Sequence, residues 1–134
     1  MKNILLLCLL SLLLLASTCR TEKLERELLE VTWLHSFEED EGDTLVFRPN
    51  TYDFPPSRGR TGFAIENKGV FKEYLIAPTD GLEEHVGQWT HGEKKALQIR
   101  FKGEKPAVEN YTLEIVSIRD KVLKVKKAPL ATAE

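Results

Sequence analysis

The chain has 134 residues, of which 42% are hydrophobic and 30% are charged, and its formal net charge at pH 7 is −2. This length and composition predict a single domain built around one hydrophobic core. The balance of 19 basic and 21 acidic residues argues against a nucleic-acid-binding protein, because binding to phosphates requires a concentrated basic surface.

The N-terminus has the pattern of an export signal. Lys2 precedes a leucine-rich apolar run from Ile4 to Ala16, and small residues follow before Cys19. A helix of about 13 residues reaches only about 20 Å, whereas the hydrocarbon core of a bilayer is about 30 Å thick. The run therefore predicts a signal peptide over residues 1–18 and not a transmembrane span.

Two interpretations of signal cleavage are open. Residues Leu15–Cys19 resemble the lipobox of bacterial lipoproteins, in which the cysteine becomes the acylated N-terminus. Cys8 lies in the removed segment, so Cys19 is the one cysteine left in the mature chain, and acylation explains a cysteine without a disulfide partner. We predict that Cys19 is lipidated and anchors the protein in the cell envelope. The alternative is cleavage after Ala16 or Thr18, which releases a soluble secreted or periplasmic protein.

The mature chain begins with a short helical segment and then changes to strand periodicity. Residues 19–30 predict a linker and a helix over Thr21–Glu30, with an apolar stripe at Leu24, Leu28 and Val31. Alternation of apolar and polar residues then continues to residue 127, starting with Trp33, His35 and Phe37. The later strands are predicted at Thr44–Arg48, Arg60–Glu66, Val70–Ala77, Glu84–Thr90, Lys95–Lys102, Glu109–Ile118 and Val122–Lys127.

These segments predict an all-β fold. About eight short strands are joined by turns that leave no room for crossover helices, so neighbouring strands are expected to pair antiparallel as a meander. Closure of the sheet removes its two edges. The sequence therefore predicts a small up-and-down antiparallel barrel over residues 31–127, a short N-terminal helix and a frayed tail over residues 128–134.

Several segments in chain order resemble the lipocalin-like domains of bacterial exported proteins, within the calycin group. The resemblance is carried by Trp33 on the first strand, Leu45–Tyr52, Gly87–Trp89 with Leu97–Ile99, and the closing hairpin Tyr111–Ile118 with Leu123–Val125. The resemblance implies a lipocalin-like barrel. Together with the predicted anchor at Cys19, it leads us to expect a membrane-tethered binding module for a small hydrophobic ligand, and we expect no enzymatic activity and no cofactor.

The aromatic residues are the candidate ligand-binding residues, because each buries a large apolar area. We expect Phe37 to point inward together with the predicted ligand-binding residues, which are Trp33, Phe47, Phe63, Trp89, Phe101 and Tyr111. The alternative is that these rings fill the barrel and that the protein is a structural, interaction or inhibitor lipoprotein, because an eight-stranded barrel is only just wide enough for its side chains.

Other chemistry has weak support in the sequence. His35 is expected to be a structural histidine, and His85 and His91 are too far apart along one strand to share a metal ion. The acidic turn Glu38–Asp43 lacks the ligand spacing of an EF-hand and predicts a solvated hairpin turn. We therefore predict no catalytic site, no metal site and no nucleic-acid partner.

Overall fold

The computed structural model describes residues 1–103 and 109–130, with the side chains of residues 14–21 excluded from the description. Cys19, the predicted lipidation site, lies among those eight positions, so its side chain is outside the described residues. The elements in chain order are α1 Lys2–Leu28, β1 Thr32–His35, a 3-10 turn Phe37–Glu39, β2 Leu45–Pro49, β3 Gly62–Ile65, a second 3-10 turn Asn67–Gly69, β4 Val70–Ile76, β5 Leu82–His91, β6 Ala96–Phe101, β7 Tyr111–Arg119 and β8 Val122–Pro129.

The eight strands form one closed barrel in which every neighbouring pair is antiparallel. The predicted all-β barrel of eight antiparallel strands with an N-terminal helix is therefore confirmed. Closed barrels of this size are compatible with the calycin architecture.

The order of strands around the barrel adds a feature that pairing in chain order does not predict. From β3 to β8 each strand pairs with the next, but β1 lies between β2 and β3, and β2 closes the barrel against β8. The expectation that every strand pairs with its successor is thus wrong for β2 and β3. Gly62 is the residue that lets β1 approach β3, because a Cβ at this position would clash with the carbonyl oxygen of Trp33.

The interior of the barrel is apolar except near Glu73 and contains almost all of the buried core. Side chains alternate as predicted on β6, where Leu97 and Ile99 are buried and Arg100 is exposed. The buried cluster comprises Leu28, Trp33, Phe47, Phe63, Ile65, Phe71, Leu97, Ile99, Leu113, Ile115, Leu123 and Val125. Each of the larger side chains contributes roughly 1.5–3 kcal/mol by its removal from water, so this cluster is the main source of stability.

Among the differences between observed and predicted element boundaries, three concern the ends of the barrel. The helix is longer than predicted and includes the leucine-rich run, because α1 spans Lys2–Leu28. Strand β8 continues through Pro129, two residues past the predicted end of the barrel. Strand β1 ends at His35, and Phe37 lies in the 3-10 turn with 49% of its surface exposed. The expectation that Phe37 points into the barrel is therefore wrong, since the chain leaves the sheet before that residue.

The last turns of α1 cover one end of the barrel, which we call the α1 end. Leu24 packs against the buried cluster, and Leu28 is part of it. The indole N–H of Trp33 donates a hydrogen bond of 3.1 Å to the carbonyl oxygen of Leu28. Residues 1–13, in contrast, are exposed. The opposite end carries the β4–β5 turn and the 3-10 turn Phe37–Glu39.

Candidate ligand-binding site

The middle of the barrel is filled by aromatic rings in a continuous series of contacts. The ring centroids of Phe47 and Phe63 are 4.7 Å apart, those of Phe63 and Phe71 are 5.5 Å apart, and Phe101 lies 6.1 Å from Phe71. Tyr111 extends the series, 6.3 Å from Phe71. Four of the six predicted ligand-binding residues thus belong to one packed array. Phe71, which joins them, was missing from the predicted set although it occupies an inward-facing position of β4.

The two tryptophans lie toward the α1 end. The indole N–H of Trp89 donates a hydrogen bond of 2.8 Å to the carbonyl oxygen of Glu66, as that of Trp33 does to Leu28. Both indoles therefore present apolar ring surface while their polar atoms are satisfied by backbone groups. This is the arrangement expected of rings that line an apolar space near the rim of a barrel.

A hollow of about 520 Å³ lies beneath the last turns of α1, and we call it the inner hollow. Its floor is made of core residues of the barrel, namely Ile65, Leu97 and Ile115, and Trp89 forms part of its wall. Leu28 of α1 closes it from above. Its volume is within the range of about 300–1,000 Å³ that is typical of small-molecule sites. The inner hollow is therefore the candidate site for an apolar ligand.

A second, wider groove of about 1070 Å³ lies on the other side of α1. Leu24 and Arg119 line both spaces, so the last turns of α1 separate them. Trp33 lines the groove, whereas its other walls include the charged residues Glu27 and Lys121. The groove encloses a small molecule less well than the inner hollow does, because it is wider and more open to solvent.

Charged side chains surround the apolar part of the inner hollow. Lys94, Lys95 and Arg119 line its rim and form no ion pair with any side chain in the described parts of the chain. Glu25 lies 3.3 Å from the Nε2 atom of His91. The inner hollow thus combines an apolar floor with polar groups at its rim that can orient one end of a ligand.

The opposite end of the barrel is held by ion pairs that the sequence did not reveal. The Arg60 guanidinium donates two hydrogen bonds to Glu38, of 2.9 and 2.6 Å, and one to the carbonyl oxygen of His35. Arg48 binds Glu39 in the same two-pronged manner, at 2.6 and 2.7 Å. The acidic turn is accessible to solvent, but two of its carboxylates also bind basic residues from distant segments, which the sequence did not indicate.

These contacts change the protonation of the carboxylates. The hydrogen bonds from Arg48 lower the pKa of Glu39 from 4.5 to about 2, although partial burial acts in the other direction. The hydrogen bonds from Arg60 likewise lower the pKa of Glu38. Both carboxylates are therefore ionised at neutral pH. The arrangement fixes the 3-10 turn over this end of the barrel and has the character of a structural clamp.

The histidines His35 and His85 contact different carboxylates and do not form a common site. His35 contacts both carboxylate oxygens of Asp40, at 3.1 and 2.9 Å, and stacks on Phe47 with a centroid separation of 5.0 Å. His85 lies 3.4 Å from a carboxylate oxygen of Glu83. Within the described residues, no group of three or more histidine, cysteine, aspartate or glutamate side chains is arranged to hold a metal ion. His35 is best explained as a structural residue of the barrel.

Comparisons with family models, curated proteins and solved structures find no significant match for this chain. Across the part of the chain that the structure describes, no helix has both the length and the apolar character needed to cross a bilayer.

Proposed function

We propose that this protein is an exported lipoprotein of the cell envelope whose lipocalin-like barrel binds a small hydrophobic ligand in the inner hollow. The observation that carries the proposal is the hollow of about 520 Å³, whose floor is formed by Ile65, Leu97 and Ile115. A space of this size with an apolar floor and a few polar rim groups is the usual form of a small-molecule site. The proposed role is binding, with no catalytic step.

The N-terminal segment supports export and tethering. Residues 1–13 are exposed and rich in leucine, as expected for a signal segment that is not part of the folded domain. The α1 residues that line the inner hollow begin at Leu24, so cleavage before Cys19 leaves its lining intact. Cys19 precedes Leu24 by five residues, or about 8 Å along a helix axis. A lipid on Cys19 therefore holds the hollow close to the membrane surface, where apolar ligands are concentrated.

A second function is favoured by the packed interior. The aromatic array from Phe47 to Tyr111 leaves the middle of the barrel filled, as expected of a structural, interaction or inhibitor protein. Phe37 is exposed at the opposite end, where it provides apolar surface for a protein partner. This alternative predicts that the inner hollow binds nothing.

Fluorescence of the neutral apolar probe N-phenyl-1-naphthylamine distinguishes the two functions. We expect saturable binding to the purified protein, weakened at least fivefold by Leu24→Trp, because the added indole occupies space on the α1 wall of the hollow. The matched control is Glu22→Trp, which places the same side chain on an exposed position of α1 that lines neither space. Absence of probe binding, or equal effects of the two variants, contradicts a ligand site in the inner hollow.

Tethering is tested separately by metabolic labelling with radioactive palmitate. We expect the wild-type protein to incorporate label and the Cys19→Ala variant to incorporate none. A wild-type protein that stays unlabelled contradicts the lipid anchor and supports release of a soluble exported protein. Native mass spectrometry of the extracted protein complements this experiment, because a co-purifying apolar molecule identifies the class of ligand.

A further inference from the structure

A charged side chain crosses the interior of the barrel near its opposite end. Glu73 lies on β4 between the inward-facing Phe71 and Leu75, and Lys127 lies on β8. Strands β4 and β8 are four positions apart in either direction around the eight-stranded barrel, so they form opposite walls. The Nζ atom of Lys127 is 3.4 Å from Oε1 of Glu73. This contact therefore spans the lumen.

The carboxylate of Glu73 has unused capacity to accept hydrogen bonds. Its Oε1 atom accepts from the hydroxyl of Tyr111 at 3.2 Å as well as from Lys127. Its Oε2 atom is buried and has no hydrogen-bond partner among the described residues. Only 6% of the Glu73 side chain is exposed. A carboxylate normally accepts about four hydrogen bonds, so a buried oxygen without a donor indicates a missing partner.

The surroundings of this carboxylate suit a primary ammonium group. The Lys127 ammonium already occupies the position, 4.5 Å from the centroid of the Tyr111 ring, which is within the range of a cation–π contact. Phe101 packs against Tyr111 at a centroid separation of 6.4 Å and adds a second aromatic side chain. Burial and the neighbouring Glu73 raise the pKa of Tyr111, so its hydroxyl remains a hydrogen-bond donor at neutral pH.

Lys127 is a replaceable occupant of this position. Its contact with Glu73 is long for an ion pair, at 3.4 Å, and 35% of its side chain is exposed. Rotation of its flexible stem brings the ammonium into water without moving the backbone. The contacts that Lys127 makes with Glu73 and Tyr111 are those that an ammonium group on a short apolar stem, such as the Lys127 side chain itself, can make.

We propose that the opposite end of the barrel holds a second binding site, in which Glu73 and Tyr111 bind the primary ammonium group of a small molecule that displaces Lys127. The carboxylate supplies the counter-charge, Oε2 accepts an N–H bond that no described residue donates, and the Tyr111 ring contacts the cation. This site is separate from the inner hollow and does not depend on a ligand there.

The test uses 2-phenylethylammonium as the probe and 2-phenylethanol as its neutral isostere. Each is titrated into the purified 15N-labelled protein, and binding is read from chemical shifts of the backbone amides of residues 73 and 111. We expect the ammonium to bind at least tenfold more tightly than the alcohol, because only the ammonium carries a positive charge that can form an ion pair with Glu73 and a cation–π contact with Tyr111. Equal affinities, or shifts confined to the inner hollow, overturn the proposal.

Two variants are expected to change affinity in opposite directions. Glu73→Gln keeps the shape of the side chain and should abolish the preference for the ammonium. Lys127→Ala removes the internal competitor and should tighten ammonium binding at least threefold, because the ligand no longer has to displace the Lys127 ammonium from Glu73. Weaker ammonium binding to Lys127→Ala means that the site does not exchange its occupant, and this result overturns the proposal.

The matched control is Glu83→Gln on β5, which removes a carboxylate near the same end of the barrel whose side chain is 51% exposed. It should leave the preference for the ammonium unchanged, since Glu83 contacts His85 and not Glu73. If Glu83→Gln loses as much of the preference for the ammonium as Glu73→Gln does, general electrostatic attraction causes that preference. This result overturns the proposal of a specific site at Glu73. The comparison of the two probes on the wild-type protein stands even if a variant fails to fold.

Discussion

The two-pronged contact between Arg48 and Glu39 makes the stability of this protein depend on pH. Arg48 comes from β2 and binds a carboxylate in the 3-10 turn that covers the opposite end of the barrel. The pKa of Glu39 falls from 4.5 to about 2 in the folded state. A carboxyl group with a lowered pKa stabilises the folded state above its unfolded pKa, and this stabilisation is lost as the pH falls from about 5 toward 2.

The size of the effect follows from the pKa and from the exposure of the pair. A change in pKa from 4.5 to about 2 corresponds to at most about 3.4 kcal/mol, at about 1.36 kcal/mol per unit. Because 38% of the Glu39 side chain is exposed, solvent screens the interaction, and we reduce the expected value to roughly 1–1.5 kcal/mol. More than half of this contribution should be lost at pH 3, since that pH lies well below the unfolded pKa.

The prediction is tested with Arg48→Met, which keeps most of the side-chain volume and removes the charge. Urea denaturation followed by tryptophan fluorescence should show a loss of about 1–1.5 kcal/mol at pH 7 that shrinks by more than half at pH 3. The matched control is Arg100→Met, at an exposed position on β6, which should change stability by less than about 0.5 kcal/mol at both pH values. A loss that is the same at pH 7 and pH 3 would refute the role of the Glu39 carboxylate.

Three further predictions concern packing and protonation. Gly62→Ala should destabilise the protein by at least about 2 kcal/mol in urea denaturation because its Cβ clashes with the β1 backbone, whereas Gly81→Ala, with open space around its Cβ, should stay within about 0.5 kcal/mol. Trp33→Phe should lower the free energy of unfolding by about 2 kcal/mol and speed proteolysis after Leu28, since it removes the hydrogen bond to Leu28 and leaves unfilled volume. An unchanged rate of cleavage counts against docking of α1 through this bond. In titrations of tyrosinate absorbance at 295 nm, the curve of Tyr111→Phe should match that of the wild type up to about pH 11, because the raised pKa keeps Tyr111 protonated in the folded protein. The stability of the wild type should fall above about pH 10, because this phenol ionises more easily in the unfolded chain. A smaller absorbance change for the variant near pH 10 contradicts the raised pKa.

Much of the sheet could be predicted because its information is local. On β6, the alternation of Leu97, Gln98, Ile99 and Arg100 assigned each side chain to a face, and the structure agrees. Turn residues placed most strand boundaries within a few residues. Phe37 was assigned wrongly because the same alternation continues into a segment where the chain has already left the sheet.

The candidate sites were less predictable, because they depend on contacts between distant segments. The inner hollow exists only because the last turns of α1 lie over Ile65, Leu97 and Ile115. The contact of Glu73 with Lys127 joins residues 54 positions apart. Before the register of β4 and the position of β8 were known, Glu73 was one of many acidic residues without a distinguishing local pattern.

The amino-acid sequence by itself determined the secondary-structure class, the antiparallel pairing of eight short strands and the aromatic character of the interior. These properties follow from period-two alternation and turn chemistry, which act over a few residues. Tertiary structure alone decided that β1 lies between β2 and β3, that arginines clamp the acidic 3-10 turn, and that a buried carboxylate crosses the lumen. The physical reason is that closing a barrel brings together side chains whose separation along the chain carries no local signal.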